Sequence, residues 1–343
     1  MELSFKRQSL YFEAPQRVTV RQEMLPPLAA DQVVVQTSFS AISAGTELLF
    51  YRGQIPPDFV VDESIDALKG RFAYPLKYGY ALVGKVIQVG EGVSPQWLGQ
   101  RVFVFHPHES LFYAHPNELL ALPEGLSDED ALFLPNLETA VNLVMDGAPL
   151  IGERVAVIGQ GVVGLLTTAL LACFPLTDLI AFERLPFRRQ LALQMGAQRS
   201  LLPPDSAEDL AATALAGQCD LVFEVSGSPS ALDLAIALCG FNGRVVVGSW
   251  YGTKKAPLDL GGHFHRGRIA LISSQVSTIA PALSGRWNKA RRFDIVWHML
   301  ERLKPSRLIT HRFRLSQAGE AYHLLDEAKD ESVLQVVFEY SST

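Results

Sequence analysis

Three glycines and one acid in this chain have the spacing of a dinucleotide-binding turn. Gly159, Gly161 and Gly164 follow the apolar run Val155 to Ile158, and Glu183 comes nineteen residues after Gly164. The first glycine permits a tight turn, the second lets the backbone approach a pyrophosphate, and the third lets a helix pack closely on a strand. Glu183 is placed to accept hydrogen bonds from the adenosine ribose. The combination predicts a nicotinamide-type cofactor.

The segments around the glycines predict the elements that such a site needs. Val162 to Cys173 predicts an apolar helix, and Leu179 to Phe182 predicts a second strand that ends at Glu183. The start of the helix offers N–H groups and the positive end of the helix dipole to phosphates. We therefore expect the backbone of Gln160, Val162 and Val163 to contact the cofactor.

Charged residues after the second strand point to two different cofactors. Glu183 favours NAD, because a 2′-phosphate would be repelled by its carboxylate. Arg184, Arg188 and Arg189 favour NADP, because guanidinium groups bind phosphate well. We predict NAD and keep NADP as the alternative.

Composition describes an ordinary globular protein with room for two domains. The chain has 343 residues, 48% of them hydrophobic and 19% charged, with a net charge of −6. Lys and Arg are scattered, so a nucleic-acid partner is not expected. The pairs Arg188-Arg189 and Arg291-Arg292 are short, and we interpret them as solvated faces of predicted helices.

The three cysteines and the apolar segments predict a cytoplasmic protein that does not bind a membrane. Cys173, Cys219 and Cys239 form no Cys-x-x-Cys pair, and their apolar surroundings predict buried thiols in a reducing compartment. The first residues do not resemble a signal peptide. The most apolar stretch, Val162 to Cys173, is too short to span a bilayer.

Strand and helix patterns divide the chain into two domains. Short strands punctuated by Pro and Gly predict a compact, partly open β-barrel in residues 1–125. Strands and helices alternate between Val155 and Ser274, which predicts a doubly wound parallel sheet in residues 126–279. Residues 280–343 are predicted to return to the barrel. Within them we expect strands at Leu308 to Phe313 and at Val333 to Phe338.

This order resembles the medium-chain dehydrogenase/reductase superfamily over essentially the whole chain. The resemblance implies a GroES-like catalytic domain, a Rossmann domain and NAD(P)-dependent hydride transfer to or from a small-molecule substrate. Members are commonly oligomeric, so it also implies a homodimer or homotetramer. The matching stretches, besides the glycine turn, are Ser43-Ala-Gly-Thr-Glu-Leu48, Tyr78-Gly-Tyr-Ala-Leu-Val-Gly84, Gly99-Gln-Arg-Val-Phe103 and Glu138-Thr-Ala140.

The catalytic zinc ligands of this family are replaced in this chain. The three ligand positions fall on Ala44, Tyr80 and about Pro135. Alanine and proline side chains cannot bind a metal, and a catalytic zinc needs three protein ligands. The family's four-cysteine structural zinc lobe is also missing, so we predict a zinc-free member. His106, His108 and Glu109 could instead form a displaced metal site, although two exposed loop histidines are the simpler interpretation.

Without zinc, another group must stabilise the charge on the substrate oxygen and transfer a proton. Tyr80 is the best candidate, because a phenol with a pKa near about 10 can donate to an alkoxide. Lys77 is the candidate cation beside it, Thr46 matches the family's proton-relaying hydroxyl, and Glu138 is a secondary acid or base. The alternatives are that Tyr80 only fills the space of the zinc and that Thr46 only bonds backbone. Glu47 matches a buried structural acid that we expect to pair with an arginine.

The resemblance also places further residues around the cofactor. Thr139 matches a residue that packs on the nicotinamide ring, although helix packing alone would explain it. The remaining positions follow strand ends and are expected to contact the cofactor: Ser226 and Gly227 near the adenosine, Gly248, Ser249 and Trp250 near the nicotinamide, and Ser274 at the next strand.

We predict a zinc-independent oxidoreductase that interconverts a secondary alcohol and a ketone. Part of the pattern resembles the bacteriochlorophyllide dehydrogenases, which suggests a bulky, ring-bearing substrate. Phe59, Phe72, Tyr74 and Trp250 could line a pocket for such a ring or belong to the core. The alternatives are a zinc-free enoyl or quinone reductase and a non-catalytic sensor that binds a dinucleotide.

Overall fold

The computed structural model of the chain describes residues 5–56, 59–61, 65–206, 209–210, 213–327 and 332–340. The strands in these ranges are β1 (Lys6–Ala14), β2 (Arg17–Met24), β3 (Val33–Ala41), β4 (Leu82–Val89), β5 (Arg101–Val104), β6 (Leu111–Ala114), β7 (Leu120–Ala121), β8 (Arg154–Ile158), β9 (Asp178–Phe182), β10 (Arg199–Leu201), β11 (Cys219–Glu224), β12 (Cys239–Val247), β13 (Ala270–Ser273), β14 (Ile309–Arg314) and β15 (Gln335–Glu339).

The helices in the same ranges are α1 (Ala44–Tyr51), α2 (Asp128–Ala131), α3 (Leu134–Gly147), α4 (Val162–Leu171), α5 (Pro186–Gln194), α6 (Ser230–Leu238), α7 (His263–Arg266), α8 (Lys289–Leu303) and α9 (Ala318–Glu327). From the sequence we expect an insertion between Ala44 and Tyr80 that covers the substrate, and a helix at Ala207 to Leu215. Residues 57, 58 and 62–64 of the insertion and residues 207, 208, 211 and 212 of the helix lie outside the described ranges.

The chain forms two compact units, Met1–Pro135 with Trp297–Thr343 and Asn136–Val296. The expected divisions, after residues 125 and 279, lie ten or more residues earlier. Helix α2 stays with the first unit because it packs on β3 and β4. Residues 280–296 stay with the second unit because Arg292 bonds to Glu138 and to the carbonyl of Thr278.

The first unit contains the predicted GroES-like sheet. Its main strand order is β14-β15-β3-β4-β5-β7, with β6 also paired to β3, while β1 and β2 form a separate antiparallel pair. The two C-terminal strands join this sheet through β15 and β3, as the sequence predicted. The alternation of polar and apolar residues did not predict β1, β6 or α1. These segments bury neighbouring residues on both faces, so a polar–apolar alternation is not seen in them.

The second unit contains the predicted Rossmann sheet. Its six parallel strands have the order β10-β9-β8-β11-β12-β13. The strand order reverses between β8 and β11. In open parallel sheets, ligands bind beyond the carboxyl ends of the strands at such a point. This confirms the fold class predicted from sequence.

The register of this sheet brings the predicted cofactor residues to one edge. Ile158 lies beside Phe182 on one side and beside Glu224 on the other. Glu224 lies beside Val247, and Val247 beside Ser273. The segments that follow these five strand ends therefore begin at the same level of the sheet.

Two sequence interpretations need correction at the level of burial. Cys219 and Cys239 are buried as expected, but Cys173 is exposed because it follows the end of α4. Arg292 is 0% exposed, so the pair Arg291-Arg292 is not a wholly solvated face. No helix in the described part of the chain is long and apolar enough to cross a membrane.

Candidate active site

The glycine turn of the second unit has the shape of a phosphate cradle. A Cβ at Gly164 would lie 2.0 Å from the carbonyl oxygen of Gly159, and a Cβ at Gly159 would lie 2.6 Å from Cα of Ser226. These glycines allow the turn, helix α4 and the loop after β11 to pack. A Cβ at Gly161 would meet nothing within 4 Å. The space beside Gly161 at the start of α4 therefore fits a pyrophosphate.

Glu183 is fixed by two backbone donors. Its Oε2 accepts the N–H of Gln160 at 2.8 Å, and its Oε1 accepts the N–H of Leu185 at 3.0 Å. The acid is thus held between the glycine turn and the start of α5, where a ribose is expected. Gln160 holds Glu183 with its backbone N–H alone. Its side chain is buried and is hydrogen-bonded to Thr168 and to the carbonyl of Val157.

The arginines after Glu183 occupy three different environments. Arg184 is exposed and lines a surface pocket with Leu202 and Pro203. Arg188 is half-buried, and burial lowers the pKa of its guanidinium while the charge of Glu183 opposes that shift. Arg189 donates to the carbonyls of Glu183 and Arg184. The loop backbone is therefore supported by arginine.

A buried acid at the end of β11 organises the next two loops. Glu224 is 0% exposed and accepts the N–H and the hydroxyl of Ser226 on one oxygen and the hydroxyl of Tyr251 on the other. Burial and the charge of Glu224 raise the pKa of Tyr251. The N–H of Gly227 donates to Ser249 Oγ at 2.8 Å. Sequence reasoning missed Glu224, although an acid at a strand end was a usable signal.

The loop after β12 contains the predicted nicotinamide residues. A Cβ at Gly248 would lie 2.7 Å from Leu143 Cδ2, so a side chain there would displace this buried leucine. Trp250 is 37% exposed. Ser274 donates its N–H to the carbonyl of Val247, and its hydroxyl oxygen accepts from Asn142 Nδ2 at 3.0 Å. Thr139 lies one helical turn before Asn142 on α3 and is half-buried.

Glu138 is held in a buried ion pair. Arg292 donates to Glu138, to Asn142 Oδ1 and to the carbonyls of Val276 and Thr278. Burial raises the pKa of Glu138, and the Arg292 charge acts in the opposite direction. This corrects the expectation of a secondary acid or base, because the carboxylate is committed to a guanidinium that ties α3 to the loop after β13.

In the first unit, three hydroxyl groups meet at the start of α1. The phenol oxygen of Tyr80 is hydrogen-bonded to Ser43 Oγ and lies 3.3 Å from Thr46 Oγ1. All three side chains are half-buried. Sequence reasoning identified Tyr80 and Thr46 but missed Ser43. The cluster can donate a proton to a substrate oxygen and accept one from it.

Glu47 is fully buried, and its partners differ from the expected arginine. It accepts the N–H of Ser43 at 2.7 Å, Nε2 of His108 at 3.0 Å and the hydroxyl of Tyr322. Burial, together with the charge of Glu47, raises the pKa of Tyr322 well above its ordinary value. The acid therefore lies against a backbone N–H, a tyrosine hydroxyl and one histidine ring rather than beside an arginine.

The two histidines near β5 are not exposed loop residues. His108 is 0% exposed and bonds Ser40 through Nδ1, while His106 bonds Glu109 at 2.9 Å and stacks on Phe112. Full burial of His108 and partial burial of His106 explain the difference from expectation. In the described ranges, no three or more His, Cys, Asp or Glu side chains form a group that could hold a metal.

Lys77 is committed to acids rather than to Tyr80. Its ammonium lies 2.6 Å from Glu109 and 2.9 Å from Glu23. Burial alone would lower the pKa of Lys77, but the charge of Glu109 and the bonds to both acids raise it. The expected role of Lys77 as a cation acting on Tyr80 is therefore not supported by its contacts.

The donor set of the first unit does not fit a catalytic zinc. Ala44 presents a methyl group, which packs with Tyr80 against the aromatic core. Pro135 is buried and presents a ring without a ligand atom. Tyr80 alone of the three positions has a ligand atom, and its oxygen is bonded to Ser43.

A Rossmann unit with this turn and acid, on one chain with a GroES-like unit, defines a two-domain nicotinamide-nucleotide dehydrogenase. Comparison with known proteins agrees. Residues 162–293 match the family model described as zinc-binding dehydrogenase. The chain is 28% identical over 267 residues to (R,R)-butanediol dehydrogenase of Bacillus subtilis strain 168, covering 68% of this chain and 75% of that protein.

Solved structures share the fold over almost the full length. An alcohol dehydrogenase (rspB) from Escherichia coli CFT073, complexed with NADH, superposes with a TM-score of 0.78 at 20% identity, covering 98% of this chain and 99% of that one. A protein from Sinorhizobium meliloti 1021 bound to NADP gives 0.76 at 19% identity, with the same coverage.

The family model and the relatives support the medium-chain dehydrogenase/reductase superfamily that the sequence resembles. The chain is an NAD(P)-dependent dehydrogenase/reductase of the alcohol dehydrogenase type.

Proposed function

We propose that this protein is a zinc-independent oxidoreductase that interconverts a secondary alcohol and a ketone, with Tyr80 as the proton-transferring residue. One observation carries the proposal. Where the family has a zinc ligand, this chain has a phenol hydrogen-bonded to Ser43 and close to Thr46, while Ala44 and Pro135 remove the other two ligands.

The hydroxyl cluster has the chemistry that the reaction needs. A nicotinamide cofactor held by the second unit would supply or accept the hydride. During reduction, the Tyr80 O–H gives its proton to the substrate oxygen as the carbon–oxygen double bond becomes single. Ser43 and Thr46 hydrogen-bond the phenol oxygen and can relay a proton from solvent to it, each losing one proton as it gains another. During oxidation, the same atoms move in the opposite direction.

The preferred cofactor is NAD. Gly159, Gly161 and Gly164 would hold the pyrophosphate with the start of α4, and the fixed carboxylate of Glu183 would accept hydrogen bonds from the ribose hydroxyls. Because Glu183 is tied to Gln160 and Leu185, swinging it away for a 2′-phosphate would break two hydrogen bonds. NADP remains the alternative through the exposed Arg184.

The proposed substrate is a secondary alcohol, with a bulky ring-bearing alcohol as the finer proposal. The latter is supported by the likeness to bacteriochlorophyllide dehydrogenases. Phe59, Phe72 and Tyr74 pack against the core of the first unit, which favours the core interpretation for them. We also propose a homo-oligomer, since β13 is an edge strand with exposed residues.

The test uses chelator-treated protein and three probes, namely 2,3-butanediol, sorbitol and 1-phenylethanol, with NAD and with NADP. Quenching of the protein's tryptophan fluorescence by NADH or by NADPH identifies the cofactor. Turnover of any of the three alcohols without added metal supports the proposal. Tyr80→Phe is expected to lower kcat by about 100-fold or more while NADH binding is unchanged. Full activity of Tyr80→Phe, or activity that returns only with added zinc, would overturn it. Turnover of alkenes or quinones but not ketones would favour a reductase of the other class.

A further inference from the structure

His108 has no role in the proposed proton transfer, yet it is connected to both partners of the Tyr80–Ser43 hydrogen bond. Glu47 lies between His108 and Ser43, and Gly79 lies between His108 and Tyr80. His108 lies in the first unit, is 0% exposed, and both of its ring nitrogens are engaged. A buried histidine with two polar partners has one orientation, because rotation would leave a buried nitrogen unsatisfied.

The first connection runs through Glu47 to Ser43. His108 Nε2 lies 3.0 Å from Glu47 Oε2, and Glu47 Oε1 accepts the N–H of Ser43 at 2.7 Å. That N–H belongs to the residue before α1, so the carboxylate fixes the backbone at the start of the helix. The direction of the Ser43 hydroxyl follows from this backbone.

The second connection runs through Gly79 to Tyr80. A Cβ at Gly79 would lie 2.8 Å from Nε2 and from Cδ2 of His108, so the ring packs directly on the glycine backbone. Gly79 has a φ of 121°, which favours glycine on conformational grounds as well. The N–H of His108 also points to the carbonyl of Tyr78 at 3.4 Å. The ring therefore supports the segment that carries Tyr80.

We propose that His108 and Glu47 are positioning residues that set the hydrogen bond between Tyr80 and Ser43. His108 supports the tyrosine from behind Gly79, and Glu47 holds the serine through its backbone. On the far side of the ring, Ser40 Oγ lies 2.7 Å from His108 Nδ1 and 2.9 Å from the hydroxyl oxygen of Tyr340. The functional consequence rests on the proposed role of Tyr80, whereas the geometry does not.

The test therefore reads Tyr80 directly and needs no substrate. The protein contains nine tyrosines. Labelling each at the carbon that bears the hydroxyl with ¹³C allows the Tyr80 resonance to be assigned by its loss in Tyr80→Phe. Ser43→Ala defines the change caused by losing the hydrogen bond. His108→Asn and Glu47→Gln are expected to move the resonance in the same direction as Ser43→Ala, and Tyr340→Phe is the matched control that leaves it in place.

Glu47→Gln keeps the volume of the side chain, so it provides the test if His108→Asn does not fold. Thermal melting and NADH quenching report folding of each variant. With an alcohol that the enzyme turns over, both variants are expected to lower kcat about tenfold or more, with KM and NADH affinity unchanged. A wild-type Tyr80 resonance in folded Glu47→Gln and in His108→Asn overturns the proposal. Full activity of Tyr80→Phe overturns the proposed function instead, and the resonance then still decides the positioning role.

Discussion

Arg292 donates two hydrogen bonds to a single oxygen of Glu138, from Nε at 3.1 Å and from Nη2 at 2.6 Å. Both side chains are buried, and the remaining donors of Arg292 hold Asn142 and two carbonyls of the loop after β13. Asn142 in turn bonds the hydroxyl oxygen of Ser274. One guanidinium thus fixes the loop that follows the last strand of the Rossmann sheet.

Arg292→Met is expected to destabilise the protein by about 3–5 kcal/mol, because it leaves a buried carboxylate without its cation. The double variant Arg292→Met/Glu138→Met should recover part of that loss. Chemical denaturation measures both. Arg291→Met is the matched control, since Arg291 is exposed and stacks on Trp287. Equal stabilities of the two single arginine variants would contradict the assignment.

The glycine turn separates a packing role from a binding role. Gly161→Ala is expected to fold normally, because its methyl group meets no atom within 4 Å, but to weaken NADH binding by about tenfold or more, since the methyl occupies the pyrophosphate space. Gly164→Ala is expected to destabilise by about 1–3 kcal/mol or more, because its Cβ would lie 2.0 Å from a carbonyl oxygen. Fluorescence titration and melting distinguish the two. Tight NADH binding by Gly161→Ala would show that the phosphates lie elsewhere.

Glu183 should control the choice of cofactor. Glu183→Gln removes the charge while keeping an acceptor for a backbone N–H, so the ratio of NADH to NADPH affinity is expected to fall by about tenfold. The measurement is a pair of quenching titrations. Glu153→Gln is the control, because Glu153 also accepts a backbone N–H and pairs with Arg244 before β8 begins. An unchanged ratio in Glu183→Gln would place the ribose elsewhere.

The buried acid Glu109 should make the free energy of unfolding depend on pH in the acid range. Burial alone would raise the pKa of Glu109, but the hydrogen bond and charge of His106 with the charges of Lys77 and Arg7 lower it to about 2. A carboxylate with a depressed pKa stabilises the fold above its unfolded pKa of about 4.3, and this contribution is lost as pH falls towards 2.

Urea midpoints measured between pH 7 and pH 2.5 should therefore fall steeply below about pH 4.5. In Glu109→Gln the midpoint should be lower at pH 7 and depend less on pH in the acid range. The exposed Glu124 provides the control substitution. A parallel pH profile in wild type and Glu109→Gln would contradict the role of Glu109.

The local pattern in the sequence determined the Rossmann half of the protein. Parallel strands buried on both faces are continuous apolar runs, and the turn between β8 and α4 needs glycine at fixed spacing, so both are visible without a structure. That the side chains of Ala44 and Pro135 cannot bind a metal was equally visible, because this ability belongs to the residue type. Tyr80 and Thr46 were predicted as site residues by position alone.

Only the tertiary structure decided which polar groups meet inside the protein. Glu47 and His108 are 61 residues apart, Glu138 and Arg292 are 154 apart, and both pairs were interpreted differently from sequence. A charged side chain in a short basic pair or a loop histidine has the same local pattern whether it is solvated or buried. Burial depends on which distant segments pack over it, and no local periodicity encodes that contact.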